Sequence, residues 1–577
     1  MQQETQISRE SFFSEYKRTN TLVRRKIVSY LPSLILTSMS TFLLVSVDGL
    51  LSGGLPGNAA ISAVTLMYPF TVLAGALPAL VNTGFQVRLA NCEGEADIEG
   101  IDRVYKSGFI LNVIIAAFVS IVQFPLYAIL LETMNVSMEV KTLSWEYAIG
   151  TLLSNPIGVF TTFGTYILTV LGEFKAIMAL SLIEGISNTV ISYILAYPLK
   201  METTGLGYGT LIAVTIRLIL TVIYLKRHTN IIRKNEAPWK PEVKPILSIG
   251  LPGFVNSLAI ALQNYLMTII ITNCFSSDGA ATKTVLTFCN TMLMMLVNGV
   301  YSATFPLYGI KNGMKDIKGK RITIHNALKI DIIGTGIITI LILFFPTVPF
   351  VLHGMEQLPA YAIIAIKIYA MYIFIKGINT ILKGIMVNNK MQKSASVISL
   401  FDNAILPVVI ACGLSYVDGG KYIWFGYLGA SLIAMAFYVY NCLKISKEES
   451  AYIKNNKVLY LSANNGTAAG LSEKVHQFLI LNGISDIVAN KTAMLLEEMA
   501  AYVKPKKKGV IPEIEVSLCL DDEGIHISFI DDGKRLIEMD QDMNELQIGN
   551  NYRVVRQVAR DVTYQYLLDL NYTLIHI

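Results

Sequence analysis

Charge is what this 577-residue sequence has least of. Asp, Glu, Lys and Arg together make up 15% of it, against roughly 25% in a soluble globular domain. That shortage excludes a purely cytosolic enzyme. With 53% hydrophobic residues it also excludes a disordered chain and a nucleic-acid binder, which needs a basic stripe. Cysteine is sparse. The six (Cys92, Cys274, Cys289, Cys412, Cys442, Cys519) form no C-x-x-C pair, so neither a disulfide framework nor a metal site is expected. No G-x-x-x-x-G-K-[ST] occurs, which argues against a P-loop ATP-driven pump. What the sequence has is apolar length, with a mean hydropathy of +0.51, and this fits a polytopic membrane protein.

The charge is unevenly shared. Residues 471–577 hold 11 Lys/Arg against 17 Asp/Glu, and residues 1–470 hold 36 against 25. The chain therefore reads as a basic membrane body with an acidic soluble tail. A helix crossing the bilayer core needs about 20 apolar residues. Twelve such stretches run near 27–51, 58–88, 107–131, 143–170, 176–198, 205–225, 246–272, 281–309, 327–352, 358–385, 394–416 and 422–443. Loops after even-numbered stretches, with the N-terminus, hold about 23 Lys/Arg, and loops after odd-numbered ones about four. That bias predicts a multi-pass protein of the cell membrane with both termini cytoplasmic. An internal repeat is visible. Leu31-Pro32-Ser33 opens the first stretch and Leu251-Pro252-Gly253 the seventh. Gly94, Asp97, Ile98 and Gly100 follow the second stretch as Gly313, Asp316, Ile317 and Gly319 follow the eighth. The expected fold class is thus an all-α polytopic membrane protein of 12 helices in two parallel six-helix bundles, with a C-terminal α/β two-layer sandwich. The expected units are an N-terminal segment 1–26, a first bundle 27–226, a linker 227–245, a second bundle 246–444, a linker 445–470 and the tail domain 471–577.

Val47-Asp48-Gly49 followed by Gly53-Gly54-Leu55-Pro56-Gly57-Asn58-Ala59-Ala60-Ile61-Ser62-Ala63-Val64 resembles the first-helix signature of the multidrug and toxic-compound extrusion (MATE) family. The resemblance extends over residues 20–445 and includes the repeat. It implies two six-helix bundles forming a V and an antiporter that exports small organic compounds in exchange for Na⁺ or H⁺. Relatives in the same superfamily flip lipid-linked sugars.

Ionisable groups within membrane spans mark pathways or pairs. Asp48 matches the family's cation- or proton-binding aspartate. Glu184, Asn188 and Ser192 lie at i, i+4 and i+8 on one helix face. The resemblance implies an Asn at 188 and an Asp four residues later, where Ser192 stands. Glu184, one turn earlier, is a candidate substitute carboxylate. A hydroxyl from the sixth stretch completes such a site, with Thr210 and Thr215 both open. Lys376 and Lys383 share one face of the tenth stretch and are candidates for a substrate cavity or for pairing with Asp402. Pro69, Pro78, Pro156 and Pro407 lie inside apolar stretches, where each frees a carbonyl and favours a kink.

In the tail, 471–482 and 486–503 read as helices, Ile514–Leu520 and Ile525–Ile530 as a hairpin, 549–560 as a helix, and 562–567 and 572–577 as strands. The order and the short motifs resemble the histidine-kinase-like (GHKL) ATPase domain of the anti-sigma-factor kinase branch. Glu498 stands at that family's base position, and Tyr502 replaces its magnesium-binding Asn. Asp531-Asp532-Gly533 matches the adenine-binding Asp-x-Gly. The phosphate turn around Gly549 keeps one glycine. The resemblance implies a degenerate nucleotide site without kinase or ATPase activity, no tightly held cofactor, and ATP binding in doubt. Three readings stand open: a coupled exporter whose tail is a vestigial module or a regulatory one that contacts a cytoplasmic protein, a lipid-linked precursor flippase, and a signalling protein with a pseudokinase tail.

Overall fold

The computed structural model describes residues 22–40, 47–52, 75–133, 137–228, 241–352, 359–455, 457–464, 468–506, 511–521, 524–536 and 559–577, with isolated positions between 55 and 70. Most of the first-helix signature, residues 549–558 with Gly549, and Pro69 lie outside the described residues. Helix α1 covers 22–40, and 47–52 are also helical. There follow α2 (Ala76–Glu95), α3 (Ile98–Thr133), α4 (Met138–Leu171), α5 (Phe174–Ala196) and α6 (Glu202–His228). The second half holds α7 (Val243–Gly313), α8 (Ile317–Phe344), α9 (Ala360–Asn388), α10 (Gln392–Ser415) and α11 (Phe425–Asn455). Among the described residues, nine stretches are long and apolar enough to cross a membrane. They coincide with nine of the expected ones.

Helix α7 folds back on itself. Lys283 Nζ donates to the Asn264 carbonyl at 2.8 Å. The 19 intervening residues of a straight helix would span about 28 Å, so Val243–Phe275 and Thr282–Gly313 are two spans joined by a tight turn. The repeat motif has one physical meaning in both halves. Asp97 accepts from the Gly100 N–H at 2.8 Å, and Asp316 accepts from the Gly319 N–H at 2.9 Å. Each aspartate caps the helix that follows it. The glycines before them let α2 and α7 touch backbone to backbone. A Cβ on Gly94 would sit 2.0 Å from the Ile310 carbonyl oxygen, and one on Gly313 would sit 2.3 Å from that of Asn91. Small residues permit such crossings.

In α10 the π-turn Phe401–Ile405 precedes Pro407. A π-turn absorbs one extra residue, a device common at functional positions. Here it buries both Asp402 and Asn403.

Much of 445–470, expected as a linker, is regular structure among the described residues. Helix α11 continues to Asn455, and Lys457–Asn464 form the edge strand β1. The alternating apolar run Leu459, Leu461 and Ala463 is too short to stand out, and its pairing partner lies some 50 to 60 residues away. The tail is a five-stranded sheet in the order β1-β2-β3-β5-β4, with β2 (Glu513–Asp521), β3 (Gly524–Asp531), β4 (Asp561–Leu567) and β5 (Leu570–His576). All neighbouring pairs are antiparallel. Helices α12 (Ala468–Leu481) and α13 (Asp486–Tyr502) cover one face. Their Leu479, Leu495 and Leu496 pack on Val516, Leu518, Ile527 and Phe529. The other face lies against the membrane helices, so the tail is not a free-standing sandwich.

Candidate functional site

The first candidate site lies in the first half, away from the tail. Tyr147 is 24 residues up α4 from Leu171, which touches the tail, and this corresponds to roughly 36 Å of helix. Five polar side chains converge there. Asp48 Oδ2 accepts from Tyr147 Oη at 2.8 Å and from Thr210 Oγ1 at 3.0 Å. Thr210 Oγ1 also lies 3.2 Å from Asn188 Oδ1, as does Ser192 Oγ. Asp48, Asn188 and Ser192 are at most 3% exposed. Asp48 Oδ1 has no hydrogen-bond partner among the described residues. The structure therefore brings together Asp48, Asn188, Ser192 and Thr210. It selects Thr210 over Thr215, which bonds its own helix at the Leu211 carbonyl. It adds Tyr147, which sequence reasoning missed because a lone Tyr in an apolar helix carries no signal.

Glu184 is not part of this cluster. It forms a buried ion pair with Arg217, whose Nη2 also donates to Thr165 Oγ1 at 2.9 Å. The i, i+4, i+8 spacing puts Glu184 on the right face, but two turns of helix separate it from Ser192. The nearest cation claims it first. No substitute carboxylate from Glu184 reaches the cluster, and Ser192 stands alone at the expected Asp position. Gly209 explains the small residue: its Cβ would fall 2.1 Å from Ser192 Oγ.

The second half carries its own buried polar group. Lys376 Nζ lies 2.6 Å from Asp402 Oδ2 and also bonds Asn403 Oδ1. Ser431 Oγ donates to Asp402 Oδ1 at 2.7 Å. Lys383 Nζ donates to Asn256 Oδ1 at 2.8 Å, and Asn403 Nδ2 reaches the same oxygen at 3.2 Å. Lys376 and Asp402 thus satisfy each other. The π-turn of α10 makes this possible by directing two consecutive side chains inward.

In the tail, Asp531 is buried and accepts from the Gly533 N–H at 2.8 Å and from Asn571 Nδ2 at 2.7 Å. Burial pushes its carboxyl up to about 6, against the pull of those two hydrogen bonds. Gly533 is needed, since a Cβ there would meet Val503 Cγ1 at 2.6 Å. Glu498 is half-buried on α13, and Tyr502 lies under Lys504, whose Nζ is 5.3 Å from the ring centre.

The tail contacts both halves of the body. The β4–β5 turn holds Leu568 and Asp569, both at positive φ (55° and 56°), the pattern of a type I′ turn. Leu568 is fully buried among Ile27, Leu168 and Phe174. Its N–H donates to the Leu171 carbonyl at 3.2 Å, and its carbonyl accepts from Tyr30 Oη. Gly172, at φ +79°, must be glycine, because a Cβ would lie 2.4 Å from Leu568 Cα. Asp569 Oδ2 pairs with Lys26 at 2.6 Å and Oδ1 with Lys506 at 2.6 Å. On the other half, Lys311 Nζ pairs with Glu515 Oε2 at 2.8 Å and lies 3.8 Å from Asp316, with all three side chains essentially unexposed. Arg25 pairs with Asp532, and Ser528 Oγ lies 3.5 Å from Met314 Sδ.

Comparisons with known proteins agree with the body. Residues 33–194 match the family model described as MatE. No curated protein matches the sequence. Among solved structures, a MATE in the bent conformation is 20% identical with a TM-score of 0.70, covering 76% of this chain and 98% of that one. An outward-facing multidrug resistance MATE family transporter of the MOP superfamily is 21% identical with a TM-score of 0.69, covering 75% and 98%. A MOP superfamily transporter from Pyrococcus furiosus, whose binding pocket is described as reversed in polarity, is 21% identical with a TM-score of 0.68 over the same shares. The chain therefore has the fold of MATE transporters of known structure over three quarters of its length, with a segment of its first half matching the MatE family model.

Proposed function

We propose that this multi-pass membrane protein is a secondary active exporter of small organic compounds of the multidrug and toxic-compound extrusion type. Its export is driven by Na⁺ or H⁺ exchange at Asp48, and it sits in the cell membrane with both termini cytoplasmic. One observation carries the reading. Asp48 is a fully buried carboxylate with one oxygen held by two hydroxyls and the other without a hydrogen-bond partner among the described residues. A carboxylate so placed is costly unless a proton or cation joins it. Asn188 and Thr210 supply further oxygens at the spacing a hard cation needs. Reconstituted protein with Na⁺ and proton gradients imposed separately tests this. Asp48→Asn abolishes substrate movement under the coupling gradient while leaving the protein folded. Wild-type rates in that variant would remove Asp48 from coupling.

The flippase reading loses support from the pairing of the buried cations. Arg217 is neutralised by Glu184 and Lys376 by Asp402, which leaves Lys383, of these three, as a candidate for an anionic head group. The tail reads as a regulatory brace. It holds the first half through Lys26, Tyr30 and Leu171, and the second through Lys311 and Met314. Halves that rock against each other must break one set of these contacts whenever they part on that side. A cytoplasmic protein that engages residues 471–577 and frees the sheet face would release the brace. The replacement of the expected magnesium ligand by Tyr502 supports a tail without ATPase activity.

A further inference from the structure

Asp331 lies about half-way along α8 and is fully buried. Both of its carboxyl oxygens lack a hydrogen-bond partner among the described residues. Its carboxyl presses on α9 at Gly377, where a Cβ would stand 2.8 Å from Oδ2 and 3.3 Å from Val297 Cγ2. The cations on the packed helices are all turned elsewhere. On α9, Lys376 goes to Asp402 and Lys383 to Asn256, and Lys367 is exposed. On α7, Lys283 goes to Asn264 and Lys311 to Glu515. On α8 itself, Lys320 and Arg321 pair with Glu449, His325 and Lys329 are exposed, and Lys318 lies 13 residues away. An isolated ionised carboxylate in such surroundings costs several kcal/mol even after relaxation.

The repeat sharpens the point. The 219-residue step that takes Asp97 to Asp316 also takes Asn112 to Asp331. Asn112 is buried too, and its amide donates to Asn82 Oδ1 at 3.0 Å and to the Gly108 carbonyl at 2.8 Å. The first half thus places a neutral amide where the second places a carboxyl. A protonated carboxyl has nearly the same shape and the same zero charge.

We propose that Asp331 is a second proton-binding site of this exporter, in the half opposite Asp48, loaded with a proton in the state described here. A metal ion does not fit in its place. A hard cation takes about six oxygen ligands, whereas among the described residues Asp331 belongs to no cluster of metal-binding side chains. The nearby Thr335 hydroxyl is spent on the Asp331 backbone carbonyl at 2.6 Å. The proton joins one carboxylate oxygen and leaves as H⁺ when water reaches α8. Export coupled to Asp331 as well as to Asp48 would carry one more proton per cycle than Asp48 alone supplies. That use rests on the exporter reading, but proton binding itself does not.

Infrared spectra of the full-length protein in liposomes, recorded as difference spectra between acid and alkaline pH, test this without any substrate. The expected result is a carbonyl stretch of a protonated carboxyl in the wild type. It is lost in Asp331→Asn, kept in Asp48→Asn and shifted in Asp331→Glu. Asp331→Asn also keeps its thermal unfolding midpoint where, on this proposal, that of the wild type falls with rising pH as the proton is lost. Spectra of Asp331→Asn that match the wild type across the pH range overturn the proposal. So does failure of Asp331→Asn to fold, since the amide replaces only a neutral acid. An exporter reading that fails in transport assays leaves these spectra unchanged, so the two failures are distinguishable.

Discussion

Glu184 and Arg217 show how much one neighbour changes a residue's meaning. By spacing alone Glu184 belongs to the ion cluster. By contact it is the counter-charge of a guanidinium inside the first bundle. Removing one member of a buried pair leaves the other uncompensated, at a cost of about 3–5 kcal/mol. Glu184→Gln therefore destabilises the protein by that order, read as a drop in the unfolding midpoint in detergent. The double variant Glu184→Gln/Arg217→Met recovers most of the loss. A Glu184→Gln protein of wild-type stability that fails only in coupling would return Glu184 to the ion site. Tyr147→Phe is the complementary test at Asp48. It deletes one of two donors to the Oδ2 carboxylate oxygen and keeps the ring, so the half-saturating coupling-ion concentration shifts severalfold while stability changes by about 1 kcal/mol. Unchanged ion dependence in Tyr147→Phe would place the coupling chemistry elsewhere.

Two elements of the tail titrate in opposite senses. Burial raises Asp531 to about 6. Its folded form therefore holds a proton more tightly than the unfolded chain, and its contribution is greatest below about 3.8 and lost as pH rises through 6. Burial also acts on Asp569, but hydrogen bonds from Lys26 and Lys506 outweigh it and hold this carboxyl down at about 2. Its contribution to docking is present above about 3.8 and lost as pH falls towards 2. Hydrogen exchange of the full chain separates the two. Protection of β3 falls between pH 4 and 6 in the wild type and not in Asp531→Asn. Protection of the β4–β5 turn collapses only below pH 4, and does so earlier in Lys26→Met. A turn that stays protected at pH 2 would show that Leu568, not the ion pair, holds it. The hairpin β2–β3 was legible because alternation, a turn and β-branched residues agree. Strand β1 was not, because its role comes from pairing with β2, from Lys457 opposite Leu520 to Asn464 opposite Glu513.

For the whole molecule, the tail is docked on both halves of the body. The turn keeps a bulky residue at positive φ, a strain of about 1–3 kcal/mol that the burial of Leu568 offsets. Leu568→Asn keeps the turn, relaxes the strain and removes the apolar plug. The net weakening is about 2 kcal/mol, or roughly thirtyfold in the docking equilibrium. If the tail is a brace, Leu568→Asn raises the initial transport rate in proteoliposomes and exposes the sheet face to protease. Equal rates with an undocked tail would leave the docking without a regulatory role. Calorimetric titration of the full chain with ATP, with and without Mg²⁺, addresses the remaining site. Tyr502 lacks an amide, so binding is weak or absent and independent of Mg²⁺. Micromolar, magnesium-dependent affinity would mean that another side chain replaces the missing ligand.

The sequence by itself determined whatever is local or periodic. The apolar lengths set the spans, the G-x-x-D-I-x-G repeat set two caps and both sides of one helix crossing, and the charge imbalance divided body from tail. Asp48, Asn188 and Ser192 were found because a matching motif and helical spacing are one-dimensional. Only the tertiary structure decided what each buried charge faces. Arg217 took Glu184, Asp402 took Lys376, Glu515 reached across to Lys311, and Asp331 was left with no partner among the described residues. These outcomes join residues from 26 to more than 200 positions apart. Their energies depend on which helices touch and on how little water lies between them, and no spacing along one helix encodes that.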